Sequence, residues 1–248
     1  MNCQNLSSSI ALEALSIDIG YPATDDYSTP VPVVKDLSFK LRIGEVVTII
    51  GESGCGKSSL VAALARLIPI SGGQVRLFGE NYTYASHGRM RDLRRHLQLM
   101  LQDATGTFDQ RLTIGQTIRA PMRWIRNEWS EDECRASLAR VLYITGLDER
   151  LLDRPASKCS GGQLKRAALA RALVSRPSVL LLDEPFAGLD LESRHGITGR
   201  LWADQAKHPM AILLVSHQIP PEDNTVSRVM VLSEGQLEEQ SSRNSIYE

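Results

Sequence analysis

The chain has 248 residues, 42% of them hydrophobic and 23% charged, with 28 basic against 29 acidic side chains and a formal net charge of −1. This composition excludes a wholly disordered or fibrous chain and leaves room for a sizeable core. The near-zero balance excludes attraction to nucleic acid or anionic lipid through bulk charge. Residues 10–19 and 33–43 alternate apolar and polar side chains around a proline-bearing loop, and predict two strands and their connection. Glu45–Ile50 is a short β-branched run that predicts a buried strand entering the glycine-rich stretch Gly51–Ser58. Ser59–Ile68 then reads as helix, Gln74–Phe78 as strand ending at Gly79, residues 87–95 as a short exposed helix, and Leu97–Leu101 as strand.

Residues 103–165 differ in texture, with two of the three tryptophans and little strand pattern; they predict helices at about 113–126 and 130–145. From Gly161 the alternation returns, with a helix to about 175, the strand Val179–Asp183, a helix near 190–206, the strand Ala211–Ser216 and short strands at 228–232 and 236–240. Strands alternating with helices imply an α/β fold, a mainly parallel sheet covered on both faces, with the helical stretch inserted into it.

Four cysteines at positions 3, 55, 134 and 159 form no CxxC and fit neither a zinc site nor a disulfide framework. No basic region followed by an apolar stretch opens the chain, and no apolar run approaches the ~20 residues that span a bilayer. The expectation is a cytosolic chain with reduced thiols that reaches any membrane through partners.

Gly51-Glu52-Ser53-Gly54-Cys55-Gly56-Lys57-Ser58 matches GxxxxGK[ST] between a predicted strand and a predicted helix. Glycines let successive backbone N–H groups curl around phosphate oxygens, and the helix start adds about half a positive charge. Lys57 is suited to β- and γ-phosphates and the Ser58 hydroxyl to Mg²⁺. Val179–Asp183 followed by Glu184 puts two acids at the carboxyl edge of the sheet, where open α/β folds bind ligands. Asp183 is placed to hold Mg²⁺, directly or through water, and Glu184 to polarise an attacking water. Cys159-Ser160-Gly161-Gly162-Gln163 contains an S-x-x-Q capping box, hence a second helix start. Its two glycines would weaken the helix by up to ~1 kcal/mol each, a loss that makes sense where bare amides meet an anion.

A phosphate loop, then an SGGQ helix start, then an apolar strand with Asp-Glu resembles the ATP-binding subunit of ABC transporters, over nearly the whole chain. Gln102 after a strand, Ala187-Gly188-Leu189-Asp190 after the Asp-Glu pair, and His217 after ILLVS follow in the family's order. The resemblance implies a P-loop ATPase core with an antiparallel β subdomain. It places the core in 1–102 and 166–248 and a helical subdomain in 103–165 of a single 1–248 domain. It makes Gln102 the lid-loop glutamine and a further Mg²⁺ ligand, Asp190 part of the loop between subunits, and His217 the switch histidine. Ser59 joins the nucleotide-binding loop, and an adenine-stacking aromatic is expected before it. Tyr21 is the first choice and Tyr27 the alternative.

The same resemblance implies two ATP-binding subunits packed head to tail, each nucleotide lying between one subunit's phosphate loop and the other's SGGQ helix. ATP with Mg²⁺ would join the subunits and hydrolysis release them. GESGCGKSS and Leu99–Met122 are similar to the importer group for oligopeptides, dipeptides, nickel and metallophores. Asp109-Gln110-Arg111 stands where that group has Asn-Pro-Arg, in a stretch that lies against its transmembrane subunits; a particular partner or neutral drift both account for this. Cys159 replaces the usual Leu before SGGQ, and QIPPEDNTVS after His217 argues for a shortened or broken helix. The chain ends before the C-terminal extension of many peptide-importer relatives, which favours the nickel or metal-chelate branch.

The implied partners are a second ATP-binding subunit (a heterodimer favoured, a homodimer possible), two permeases and an extracytoplasmic solute-binding protein, with no nucleic acid. The implied place is peripheral, on the cytoplasmic face of the inner membrane. Alternatives are the ATPase of an exporter or lipoprotein extractor, a soluble ABC-type ATPase, and a regulator that binds nucleotide without hydrolysis. Single-domain length and the absence of heptads oppose the second of these, and the presence of Glu184 and His217 opposes the third.

Overall fold

The computed structural model describes residues 9–21, 31–103, 105–217 and 226–240. In chain order the elements are β1 (Ile10–Tyr21), β2 (Val31–Arg42), β3 (Val46–Ile50), α1 (Lys57–Leu64), β4 (Gly72–Leu77), β5 (Glu80–Asn81), α2 (His87–Leu93) and β6 (Leu97–Met100). There follow α3 (Ile114–Ile125), α4 (Glu131–Thr145), α5 (Gly161–Leu173), β7 (Val179–Asp183), α6 (Leu191–Lys207), β8 (Ala211–Val215), β9 (Arg228–Ser233) and β10 (Gln236–Glu239). They fall into two compact units, one drawing on Met1–His87, Leu181–Asp183 and Ala211–Glu248, the other on Gly88–Leu180 and Glu184–Met210.

Within the first unit β1 pairs antiparallel with β2 on one side and β4 on the other, and β5 closes the order β2-β1-β4-β5. A second sheet runs β10-β9-β3-β8 and continues into Leu181–Asp183 of β7, with β3 parallel to both β8 and β9. All five residues of β8 are buried, as a parallel strand covered on both faces requires. Its helix α1 packs Leu60, Val61 and Leu64 inward. Arg228 on β9 donates from Nε to Glu45 Oε1 at 2.6 Å, and the Glu45 carbonyl accepts from Ile212 N–H at 2.8 Å, so one residue ties β9 and β8 to the start of β3.

In the second unit α5 packs against α3 and α4, and α4 against α6. Four buried alanines (Ala167, Ala168, Ala170 and Ala172) let neighbours approach α5 closely. Arg140 on α4 reaches Asp204 on α6 through Nε at 2.7 Å and Nη2 at 2.5 Å, a two-pronged pair with side chains only 14% and 11% exposed. The His96 carbonyl ahead of β6 accepts from Ser178 N–H at 2.9 Å and Val179 N–H at 2.8 Å, which seats β6 beside the start of β7.

The architecture is the expected P-loop ATPase type, with parallel and antiparallel sheets and a set of helices. Local departures have local causes. Helix α1 starts two residues earlier than the pattern suggests and ends four earlier, because Arg66 adopts a left-handed φ of 56° that no glycine announces. The two-residue β5 is too short to show a period. The anticipated break after His217 and the alternative Tyr27 lie outside the described residues. No helix among the described residues is long and apolar enough to cross a membrane.

Candidate nucleotide-binding site

The first unit carries the phosphate loop. Strand β3 delivers the chain to Gly51, where an added Cβ would sit 2.4 Å from the Leu232 carbonyl of β9, so only glycine lets the loop leave the sheet this close to it. Gly54 and Gly56 have φ of 84° and 105°, the left-handed backbone that turns successive N–H groups inward. No side chain caps α1, and no acid stands in its first turn. Its leading amides are therefore uncovered by side chains, as an anion-binding helix start requires.

Lys57 is 6% exposed and donates from Nζ to the Gly51 carbonyl at 2.8 Å and the Glu52 carbonyl at 2.6 Å, with Cys55 Sγ at 3.7 Å. The loop is thus already folded around the ammonium that phosphate would contact. Glu52, Ser53, Gly54 and Ser58 are exposed. The Ser59 hydroxyl lies 2.9 Å from the Tyr21 hydroxyl, at the end of β1; the tyrosine is 46% exposed, leaving ring surface for a base to stack on. Asp183 is buried at the end of β7. His217 is exposed just beyond β8, where Ser216 N–H donates to the Ile49 carbonyl at 3.1 Å.

The second unit carries the SGGQ helix start. Ser160 Oγ accepts from Gln163 N–H at 3.3 Å, and Gln163 Oε1 accepts from Ser160 N–H at 3.0 Å: the capping box forms as anticipated. Both side chains are thereby committed to the helix, so what this start offers an outside anion is the Gly161 and Gly162 amides. A Cβ added at Gly161 would meet nothing within 4 Å, and one at Gly162 only Leu189 Cδ2 at 3.6 Å. Among the described residues, nothing in the packing calls for either glycine.

Glu184 is 6% exposed and leaves β7 with φ 48°; its carbonyl accepts from Ala187 N–H at 3.3 Å. Asp190 caps α6 through Ser193 N–H at 2.8 Å and Ser193 Oγ at 2.7 Å, and these bonds hold its carboxyl below the usual range. Gln102 is exposed just past β6. The Cys159 thiol is half-buried, is pushed up by burial, and lies 3.6 Å from the Pro155 carbonyl. Asp109 and Arg111 pair with each other at 2.8–3.0 Å, which holds Asp109 down at about 2 and balances the acid that the unusual tripeptide introduces against an arginine the usual one also has.

The fold thus gathers Tyr21, the phosphate loop, Lys57, Ser59, Asp183 and His217 on the first unit. Gln102, Ser160–Gln163, Glu184 and Asp190 gather on the second. Three cations on α5 escaped the sequence reading. Lys165 Nζ donates to the Ala187 carbonyl, Arg166 Nη2 to Ser193 Oγ at 2.6 Å, and Arg171 Nη2 to Thr107 Oγ1 at 2.7 Å. Their acceptors are carbonyls and hydroxyls distant in sequence; only the density of cations behind a capping box hints at them.

Fold and phosphate loop together define a P-loop ATPase domain of the ABC type. A family model described as "ABC transporter" matches residues 34–187. The chain is 35% identical over 208 residues to the nickel import ATP-binding protein NikE of Escherichia coli K12, covering 84% of this chain and 77% of that protein. It is 30% identical over 214 residues to the oligopeptide transport ATP-binding protein OppF of Haemophilus influenzae, covering 86% of this chain and 64% of that protein. Among solved structures, cbiO1 from Clostridium perfringens, part of the transporter complex cbiONQ, superposes with a TM-score of 0.75 at 28% identity, covering 93% of this chain and 87% of that one. A dimeric bacterial ABC transporter cassette reaches a TM-score of 0.82 at 24% identity, over 92% of this chain and 97% of that one, and shares the fold. The chain belongs to the ABC transporter family.

Proposed function

We propose that this chain is the ATP-binding, ATP-hydrolysing subunit that powers an ABC importer for peptides, nickel or metal-chelate complexes. It sits peripherally on the cytoplasmic face of the inner membrane. Its partners are a second ATP-binding subunit, a different chain in preference to a copy, two permeases and a solute-binding protein. The relatives named for oligopeptide transport and nickel import support the substrate group.

The backbone amides of Gly51–Ser58 and the Lys57 ammonium receive the phosphates, and the Tyr21 ring the base. Ser58 and Asp183, a hydroxyl and a buried carboxylate on one unit, are the hard oxygen donors that suit Mg²⁺ with nucleotide phosphates completing its shell; Gln102 is a further amide oxygen donor. No group of three or more His, Cys, Asp or Glu fit for a metal occurs among the described residues, and a cation held this way needs none. When bound, Mg²⁺ neutralises charge on the phosphate oxygens. Glu184 polarises the attacking water, and His217 stabilises the charge that builds on the γ-phosphate. The Gly161 and Gly162 amides serve the γ-phosphate held by the partner subunit, and Asp190 closes the loop between subunits.

The observation that carries this reading is one chain with two separate helix starts shaped for anions, the second with glycines its own packing does not require. A head-to-tail pair lets each start meet the other subunit's nucleotide. The domain is read as one, with the core in 1–102 and 166–248 and helices in 103–165. The test is Glu184→Gln in the subunit co-purified with its partners. Hydrolysis should fall ~10²-fold or more with ATP affinity retained, and ATP with Mg²⁺ should hold the two subunits together on size exclusion. Wild-type turnover in this variant would refute the role of Glu184.

A further inference from the structure

We propose that Lys165 is a positioning residue for ATP hydrolysis, clamping from α5 the turn that presents Glu184. The inference rests on the reading of Glu184 as the carboxylate that polarises water. Glu184 is buried and carries φ 48°, a backbone region that a residue with a side chain keeps only where its surroundings impose it. Two links among the described residues act on it here. The Glu184 carbonyl accepts from Ala187 N–H at 3.3 Å, closing the turn. The other side of that residue, the Ala187 carbonyl, accepts from Lys165 Nζ.

The far end of the segment is secured independently. Leu189 N–H returns to the Phe186 carbonyl at 3.2 Å. Asp190 caps α6, and Arg166 grips Ser193 Oγ at 2.6 Å and the Gly146 carbonyl at 3.2 Å. Between these fixed ends lie Ala187 and Gly188, both exposed, and Gly188 has φ 75°. Lys165 is the side chain that fastens this middle. It projects from the second turn of α5, one turn beyond the Gly161 and Gly162 amides. The clamp therefore joins the element that would meet the partner's phosphate to the turn that aims Glu184. A general base misplaced by ~1 Å can lose ~10²-fold in rate, so even partial relaxation of this turn is visible in turnover.

The experiment compares Lys165→Met, which keeps the length of the side chain and removes its donors, with Lys165→Arg, which restores a cationic donor. Both are measured in the full-length subunit co-purified with its partner subunits, beside Glu184→Gln. The expected result for Lys165→Met is kcat down about tenfold or more, with KM, ATP affinity and melting temperature unchanged. Lys165→Arg should recover most of the rate. In a Glu184→Gln background, Lys165→Met should add nothing further, because the group it positions is gone. Wild-type kcat in Lys165→Met, while Glu184→Gln is inactive, would overturn the clamp and leave the role of Glu184 standing. A loss that appears in KM, or one that Lys165→Arg fails to recover, would equally overturn it. Wild-type turnover in Glu184→Gln would overturn the reading of Glu184 and this inference with it. Should Lys165→Met melt early, Lys165→Ala removes the donors while keeping a strong helix former and carries the same expectation.

Discussion

Replacing Gly161 by Asp sets the stability of the chain against its function, with opposite signs. An added Cβ meets nothing within 4 Å, so no steric cost arises. Asp recovers roughly 0.3 kcal/mol of the helix propensity that Gly forfeits. A negative charge in the first turn of α5, which has no acid there, adds about 0.3–1 kcal/mol through the helix dipole. The isolated variant should thus be about 1 kcal/mol more stable and melt roughly 2–4 °C higher. In the head-to-tail pair the same carboxylate would stand beside the partner's γ-phosphate. Two like charges ~4 Å apart at an effective dielectric constant of ~20 repel by about 4 kcal/mol, close to 10³-fold in affinity. The chain's own phosphate loop lacks this charge, so nucleotide titration of the isolated variant should match wild type. Size exclusion with ATP and Mg²⁺ should show no nucleotide-dependent pairing. A folded variant that loses its own nucleotide binding would refute the cross-subunit assignment. A large fall in melting temperature would show that the fold itself needs this glycine.

Lys57→Ala should weaken ATP binding by roughly 10- to 10²-fold, the loss of a charged hydrogen-bonding group, as read by nucleotide titration. Arg140→Ala strands the Asp204 carboxylate, 11% exposed, and should cost about 3–5 kcal/mol by denaturant melting, whereas replacing both partners with Met and Leu should recover most of it. Burial, followed by Arg126 and Arg95, holds His96 below its ordinary value of 6.5, so the fold favours neutral imidazole. The unfolded chain then binds more protons near that pH, so this share of stability is intact above about 6.5 and declines as pH falls through the lower folded value. His96→Gln should flatten the slope of melting temperature against pH between roughly 7 and 5, as calorimetry would read it.

Elements governed by local chemistry were legible in the sequence. The Ser160/Gln163 box forms as read, and the helices expected at about 113–126 and 130–145 begin within a residue of those positions, behind the boxes Thr113/Gln116 and Ser130/Glu133 that the structure adds. Val179–Asp183 matches its expected span because an apolar β-branched and leucine run ends on an acid. What stayed hidden depends on partners remote in sequence. Arg66 and Glu184 take left-handed backbone without being glycine, which composition cannot foretell. Lys165 finds a main-chain carbonyl 22 residues away, and a carbonyl has no sequence signature. The committed state of Gln163 was legible as a capping box, yet its consequence, that the glycine amides rather than the side chains are the offered donors, needed the geometry.

A glycine at a helix start is not by itself a sign of a ligand, and α3 supplies the control. Its Gly115 also lies in the first turn of a capped helix without an acid. A Cβ there would fall 2.9 Å from the Leu152 carbonyl and 2.5 Å from Arg119 Nη1, so the chain's own packing explains that glycine. Helix α4, by contrast, fills its first turn with Glu131, Asp132 and Glu133, the usual way to satisfy a helix dipole from within. At α5 neither explanation applies: the first turn has no acid, and a Cβ at Gly161 would stand in open space. At α1 the dipole is left without acid or side-chain cap, while Gly51 and Gly56 shape a loop around a buried lysine. Local stability is given up at these two starts, whereas α4 and α6 keep acids in theirs. That pattern is what selection for phosphate, one site within the chain and one across to a partner, would leave behind.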